Sequence, residues 1–223
     1  MAVHIKIMVN YTKPTREQKY NLLNNMKTRC YNPNYHKVRP DYKECSVCDE
    51  WLDNHIAFYE WVDHNYYKIK GEQSVQLDKD ILVPGNKVYS PDTCIFVPQS
   101  INDLFINVHG WKKNGLPVGV TYSKKTGKYR ATINKSYDSV DGKKKLTVLG
   151  YYETPQEAYE VYKQHKRAEI IYIADSYKNV IPDKLYQAMI NWKFDEYKFI
   201  KKYRTGSRIK FSAAYFMENR QEI

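Results

Sequence analysis

Cysteine is scarce in this chain, with four residues among 223, at positions 30, 45, 48 and 94. That is too few for a disulfide scaffold, and inside a cell all four are expected as thiols. Long apolar runs are missing as well. Stretches such as Cys94 to Pro98 are a handful of residues long, far short of the ~20 needed to span a bilayer. No membrane partner is expected. The first residues, Met1 to Lys6, have no long apolar core and no cleavage site, which predicts a cytoplasmic rather than a secreted protein. Acidic residues are in deficit, 25 Asp and Glu against 36 Lys and Arg, for a formal charge of +11. No internal repeat is visible. Aromatic bulk is plentiful: 22 Tyr and four Trp within a hydrophobic share of 42% supply material for real cores. Wholesale disorder is excluded.

The basic excess has a bland explanation, since AT-rich codons supply Lys, Asn, Ile and Tyr without selection for charge. Its distribution argues otherwise. Residues 1–115 carry 15 Lys and Arg against 13 Asp and Glu, whereas residues 116–223 carry 21 against 12. Codon supply raises lysine evenly, so the concentration in one half predicts a phosphate-facing surface there.

The segment Asn114-Gly115-Leu116-Pro117 is the best boundary. It gives a first domain over 1–115, a second over 116–192 and a basic extension over 193–223. In the first domain, Thr15-Arg16-Glu17-Gln18 has capping-box spacing and opens a helix. Residues 31–42 read as loop. A second helix is predicted over 49–64, with Trp51, Leu52, His55, Phe58 and Val62 on its core side. A strand over 75–81, a long turn through Pro84-Gly85-Asn86, an apolar strand at 94–97 and a helix after Pro98 follow. In the second domain, strands at 119–122, 128–133 and 146–151 precede a long helix opened by Thr154-Pro155-Gln156-Glu157. Ala158, Val161, Tyr162, His165 and Ala168 lie at helical spacing and would cover one face of that sheet. A last helix is predicted over 183–192, and the basic stretch 198–208 is left unassigned. The expected class is α+β.

Leu77-Asp78-Lys79-Asp80-Ile81, Gly85-Asn86-Lys87, Tyr89 to Phe96 and Asn102, taken in order, resemble the ββα-metal core of HNH endonucleases. The phage and bacterial group related to intron-encoded homing nickases is the nearest in pattern. Arg29 to Pro33 and Val47 to Trp51 resemble the segments that precede that core. The resemblance covers residues 15–106. It implies that Asp78 on the strand and Asn102 on the helix hold one Mg²⁺ or Mn²⁺. Asn86 would steady the intervening loop. A strand acid and a helix amide suit a hard cation and leave coordination positions for phosphate and water. One position departs from the family. Its general base, a His directly after the strand Asp, is here Lys79. A lysine of ordinary pKa, ~10.4, is charged at pH 7 and cannot take a proton. Lys79 serves as a base only with its pKa lowered by roughly three units; otherwise it is a cation that positions phosphate. His55, His64 and His109 are the other imidazoles to consider. Cys45 and Cys48 have metal-ligand spacing, and Cys30 and Cys94 complete a possible four-thiolate zinc set. The overall spacing matches no established framework, so buried free thiols are preferred and zinc is not expected.

In the second half, Gly119-Val120, Gly127 to Ile133, Leu149 to Tyr152 and Thr154 to Tyr159 resemble the Apetala-type DNA-binding domain of plant ethylene-response factors and of many phage nucleases. The resemblance covers residues 117–178. It implies a three-stranded antiparallel sheet in the major groove, backed by the helix, with Thr121, Ser123, Lys125, Thr132 and Asn134 facing the bases. Lys124, Lys128, Arg130, Lys143, Lys144 and Lys145 are the expected phosphate contacts.

The function expected is a site-preferring, phage-type DNA endonuclease, monomeric or homodimeric, acting in a bacterial host's cytoplasm if a phage encodes it. Its partner would be double-stranded DNA. The alternative is a catalytically inactive HNH-fold DNA-binding protein, a regulator or an inhibitor of a host system. An RNA-binding module is a third option, disfavoured because no RNA-reading motif is present.

Overall fold

A computed structural model describes residues 9–10, 13–69, 74–105, 115–135 and 144–194 of the chain. Strand β1 (Val9–Asn10) pairs antiparallel with β3 (Lys68–Ile69). Between them, Thr15 closes a full capping box with Gln18 and starts α1 (Arg16–Tyr31). The segment expected as loop is instead helical. Asn32 accepts from the amides of Asn34 and Tyr35 and, with Pro33 in the first turn, nucleates α2 (Pro33–Val38). A 3₁₀ turn (Pro40–Tyr42) leads to β2 (Ser46–Val47). The single helix expected over 49–64 is two, α3 (Asp49–Asp53) and α4 (His55–Asn65). Asn54 breaks it, because its side chain caps the new turn at Ile56 and Ala57. Trp51, Phe58 and Val62 are buried as expected, but Leu52 and His55 are exposed, since the break rotates them out of the shared face.

Strand β4 (Val75–Asp78) pairs antiparallel with β6 (Ile95–Pro98), with Leu77 opposite Phe96 and Asp78 opposite Ile95. Between them β5 (Val88–Tyr89) pairs parallel with β2. Helix α5 (Gln99–Phe105) follows and packs on β4 and β6. The expected strand, turn, strand, helix order is present, although β4 stops three residues early. Asp78 Oδ1 accepts the amides of Asp80 and Ile81 and turns the chain away from the ladder.

Strands β7 (Val120–Ser123), β8 (Lys128–Lys135) and β9 (Lys145–Tyr152) form a sheet in the order β7-β8-β9. Helix α6 (Pro155–Tyr177) opens on a second capping box, Thr154 with Glu157, and α7 (Asp183–Ile190) ends the described chain. The fold class is α+β.

The described residues divide into two compact units. One takes those within 1–106, 133–147 and 164–192, the other those within 107–132 and 148–163. In the first unit, Trp51, Phe58, Phe96, Ile101 and Met26 share one apolar core with Ile170, Ala174, Leu185, Met189 and Trp192. The Phe105 and Trp192 rings lie 4.6 Å apart, and the Ser100 and Tyr177 hydroxyls are 3.0 Å apart. In the second unit, Val120 and Ala131 are buried on the same side as Ala158, Tyr159 and Tyr162 of α6. There the Tyr162 ring fills the space that a Cβ on Gly119 would need, and the φ of +80° at Gly119 already favours glycine.

Candidate functional site

The residues around the end of β4 form a tightly bonded loop. Asp78 is the last strand residue, half-buried, with Oδ1 held at 2.9 and 2.7 Å by the amides of Asp80 and Ile81. Its Oδ2 takes no hydrogen bond from the described residues and is not among their sealed, unpartnered atoms. Burial pushes the Asp78 carboxyl up to about 6, and the Asp80 charge adds to this. The amides of Ile81 and Asp80 and the Lys79 ammonium act the other way. Burial dominates because the carboxylate has lost water and gained no direct cation.

Lys79 is turned inward, 7% exposed. Its Nζ donates to Asp80 Oδ2 at 3.0 Å and to the Asn86 carbonyl at 3.1 Å. It also lies 5.9 and 5.8 Å from the ring centres of Tyr42 and Tyr89. Burial lowers its pKa, but the Asp80 charge and hydrogen bond, with Cys45 and Tyr42, more than offset that and leave it raised. A general base needs the opposite direction, so Lys79 as placed here keeps its proton. Asn86 spans the same loop. Its Nδ2 donates to the carbonyls of Lys79 and Val88 at 2.6 and 2.7 Å, and its Oδ1 accepts the Val88 amide at 3.2 Å. Asn102 sits half-buried on α5 between the buried Ile101 and Leu104. No hydrogen bond joins it to Asp78. Asp78, Lys79 and Asn86 are thus brought into one loop, beside a helix that carries Asn102.

Three of the described histidines are engaged elsewhere. His64 Nδ1 bonds the Glu60 carbonyl, His36 Nε2 bonds that of Arg29, and the His55 ring meets Tyr59 edge-on. His109 lies outside the described residues. A groove of about 690 Å³ between α1 and α4, lined by Arg16, Tyr20, Lys27, His55 and Tyr59 among others, includes none of the four predicted site residues. Cys30, Cys45 and Cys94 are buried free thiols, and Cys48 is half-buried. Burial pushes Cys30 up to about 11 and Cys94 up to about 12. Among the described residues no three His, Cys, Asp or Glu side chains gather as a metal cluster.

The sheet places the other predicted residues. Thr121 pairs with Arg130 and Ser123 with Lys128, alternating with the pairs Val120–Ala131 and Tyr122–Tyr129. Period-two alternation therefore sets Thr121, Ser123, Lys128 and Arg130 on the face opposite the buried Val120 and Ala131, with Thr132 and Asn134 on the same side of β8. Lys124 and Lys125 are exposed in the β7–β8 turn, and Lys144 and Lys145 are exposed where β9 begins. Lys128 is paired with Glu153. Lys143 lies outside the described residues. Three features escaped the sequence reading: the Asp80 partner of Lys79, the Tyr42 and Tyr89 rings around it, and Val148 on β9, 48% exposed. Only Val148 had a signal, the alternation Leu146, Val148 against Thr147, Leu149. Compared with known proteins, the chain matches no family model, no curated protein and no solved structure.

Proposed function

We propose that the protein is a metal-dependent DNA endonuclease whose β4 loop and α5 carry the cleavage site and whose three-stranded sheet holds duplex DNA. The observation that supports this most directly is Asp78. One carboxylate oxygen is fixed by two backbone amides and the other is unspent, in a loop where the Lys79 ammonium is turned to Asp80 and Asn86. A largely desolvated carboxylate with one oxygen unspent suits a hard divalent cation such as Mg²⁺ or Mn²⁺, and the Asn102 amide oxygen on the adjacent helix is a suitable neutral ligand. When bound, such an ion polarises the scissile phosphate and steadies the leaving oxygen. The chain's own parts have separate tasks. Asp78 orients its free oxygen, Asn86 locks the loop, and Lys79 holds Asp80 and the Asn86 carbonyl in place. Thr121, Ser123, Arg130 and Thr132 face the DNA, while Lys124 and Lys125 meet phosphates.

A second reading, a DNA-binding protein without catalysis, is favoured by Lys79, which keeps its proton where the resemblance calls for a base. Supercoiled plasmid separates the two. The nuclease reading expects nicking with Mg²⁺ or Mn²⁺, none with EDTA, and its loss in Asp78→Ala with duplex binding retained. Intact plasmid with every metal, in both the native protein and Lys79→His, establishes the binding-only reading. In either case duplex affinity should fall steeply with salt, and neutralising Lys124 and Lys125 should reduce the slope by about one per lost phosphate contact.

A further inference from the structure

Arg130 stands mid-way across the sheet face opposite α6. Its strand, β8, lies between β7 and β9. Across the ladder it pairs with Thr121, on the side away from the buried Val120 and Ala131. The side chain is half-buried, and its Nε donates to Thr121 Oγ1 at 3.3 Å. Nη1 and Nη2 donate to none of the described residues. The neighbouring cations are placed differently. Lys128 is paired with Glu153, and Lys124 and Lys125 are exposed in the β7–β8 turn. One guanidinium is thus held on the middle strand with a two-nitrogen fork unspent, while the free lysines sit at the end of the hairpin.

We propose that Arg130 reads guanine in the major groove, an inference that rests on the DNA-binding reading above and moves this residue from phosphate contact to base contact. Two widths set its position. Strands lie about 4.8 Å apart, so a three-stranded sheet measures about 10 Å between its outer strands. The major groove is about 12 Å wide. A sheet seated face-on in that groove holds its middle strand over the base edges, with its outer strands and turns nearer the phosphates. The fork then selects the base. Guanine presents two acceptors side by side, O6 and N7, which match the paired donors of a guanidinium. Adenine sets the N6 donor beside its N7, thymine sets a methyl beside its one acceptor, and cytosine presents a donor. Each of these leaves at least one arm of the fork stripped of water and unbonded, which is costly. Thr121 acts as a positioning residue. By accepting from Nε it restricts a long side chain before binding and lowers the cost of ordering it.

The test is a binding-site selection from a randomised duplex pool with the full-length protein. The native protein should return sites with guanine fixed at one position or more. Arg130→Ala should lose the guanine at one position and keep the rest of the pattern. Replacing that G·C pair by A·T should weaken native binding about tenfold. A second measurement needs no variant. 7-Deazaguanine at the same position keeps base pairing and O6 but lacks the N7 acceptor, and the native protein should bind that duplex several-fold more weakly. Thr121→Val, which removes the acceptor for Nε, should shrink the guanine-over-7-deazaguanine ratio, and an unchanged ratio overturns the positioning role. Sites without a fixed guanine, or equal binding of the guanine and 7-deazaguanine duplexes, overturn the base contact. So does an Arg130→Ala protein that loses affinity evenly across sequences with a salt slope lower by about one, which makes Arg130 a phosphate contact and leaves DNA binding standing. Absence of salt-sensitive binding to any duplex overturns both readings.

Discussion

Asp78 is under two opposed demands, and the opposition is measurable. Burial raises its carboxyl to about 6, against about 3.9 for a free aspartate. Between those values the folded protein binds the proton more tightly than the unfolded chain, so the group's contribution to stability is full below about pH 4 and is lost as pH rises through about 6. At neutral pH the ionised, desolvated carboxylate is a liability of about 1–3 kcal/mol. Asp78→Asn keeps an oxygen for the Asp80 and Ile81 amides and removes the charge. It should raise the melting temperature at pH 7.5, flatten the stability profile between pH 4 and 6 and, on the proposed function, remove metal-dependent cleavage. A variant less stable than the native protein at pH 7.5 would contradict the burial argument, whatever its activity.

Among the elements, Gly119, the residue that leads into β7, packs against α6. A Cβ there would sit 2.1 Å from Tyr162 Cδ2, on a backbone with φ +80°. Gly119→Ala should therefore cost about 2–4 kcal/mol by overpacking and strain, read as a lowered unfolding midpoint. An unchanged midpoint would mean that the Tyr162 ring is free to move aside. Much at this scale was legible in the sequence, because its causes are local. The capping residues Thr15 and Thr154 and the strand alternation in β7 and β8 need only neighbours a few positions away. Helix α2 was missed: Asn32 and Pro33 do carry a cap signal, but the Pro and Asn content around them reads more readily as loop. The inward turn of Lys79 had no local signal. It depends on Tyr42 and Tyr89, which only the folded chain brings beside it. The same holds for α7, whose apolar side is plain from Leu185 and Met189 while the surface that covers it is not.

At the scale of the whole molecule, Lys166 contributes a term that gains stability on the alkaline side. The buried thiols of Cys30 and Cys94 oppose it, because their raised pKa values make the folded chain hold its protons longer. Burial lowers the Lys166 pKa to about 8, Lys144 pushes the same way and Glu169 opposes. An unfolded lysine keeps its proton to about 10.4. From about pH 8 to 10.4 the unfolded chain holds more protons than the folded one, so this term gains stability as pH rises. Denaturant titrations of the native protein and Lys166→Met at pH 7 and pH 10 isolate it. The variant should be the more stable at pH 7, by about 1–2 kcal/mol after allowing for partial exposure, and the gap should close by pH 10. A gap that is constant with pH would assign the effect to packing.

The shared core of α1, α3, α4 and α5 with the far end of α6 and with α7 also sets a timetable for synthesis. Phe105 and Ile101 are translated long before Trp192 and Leu185, which complete their surroundings. At about 5–20 residues per second, the ribosome takes roughly 4–17 s to pass from Phe105 to Trp192. During that interval the nascent chain presents an open apolar flank, and α5, the helix bearing Asn102, lacks its last support. A message cut short before α7 would yield a product fit for proteolysis, whereas a chain that includes α7 closes the core.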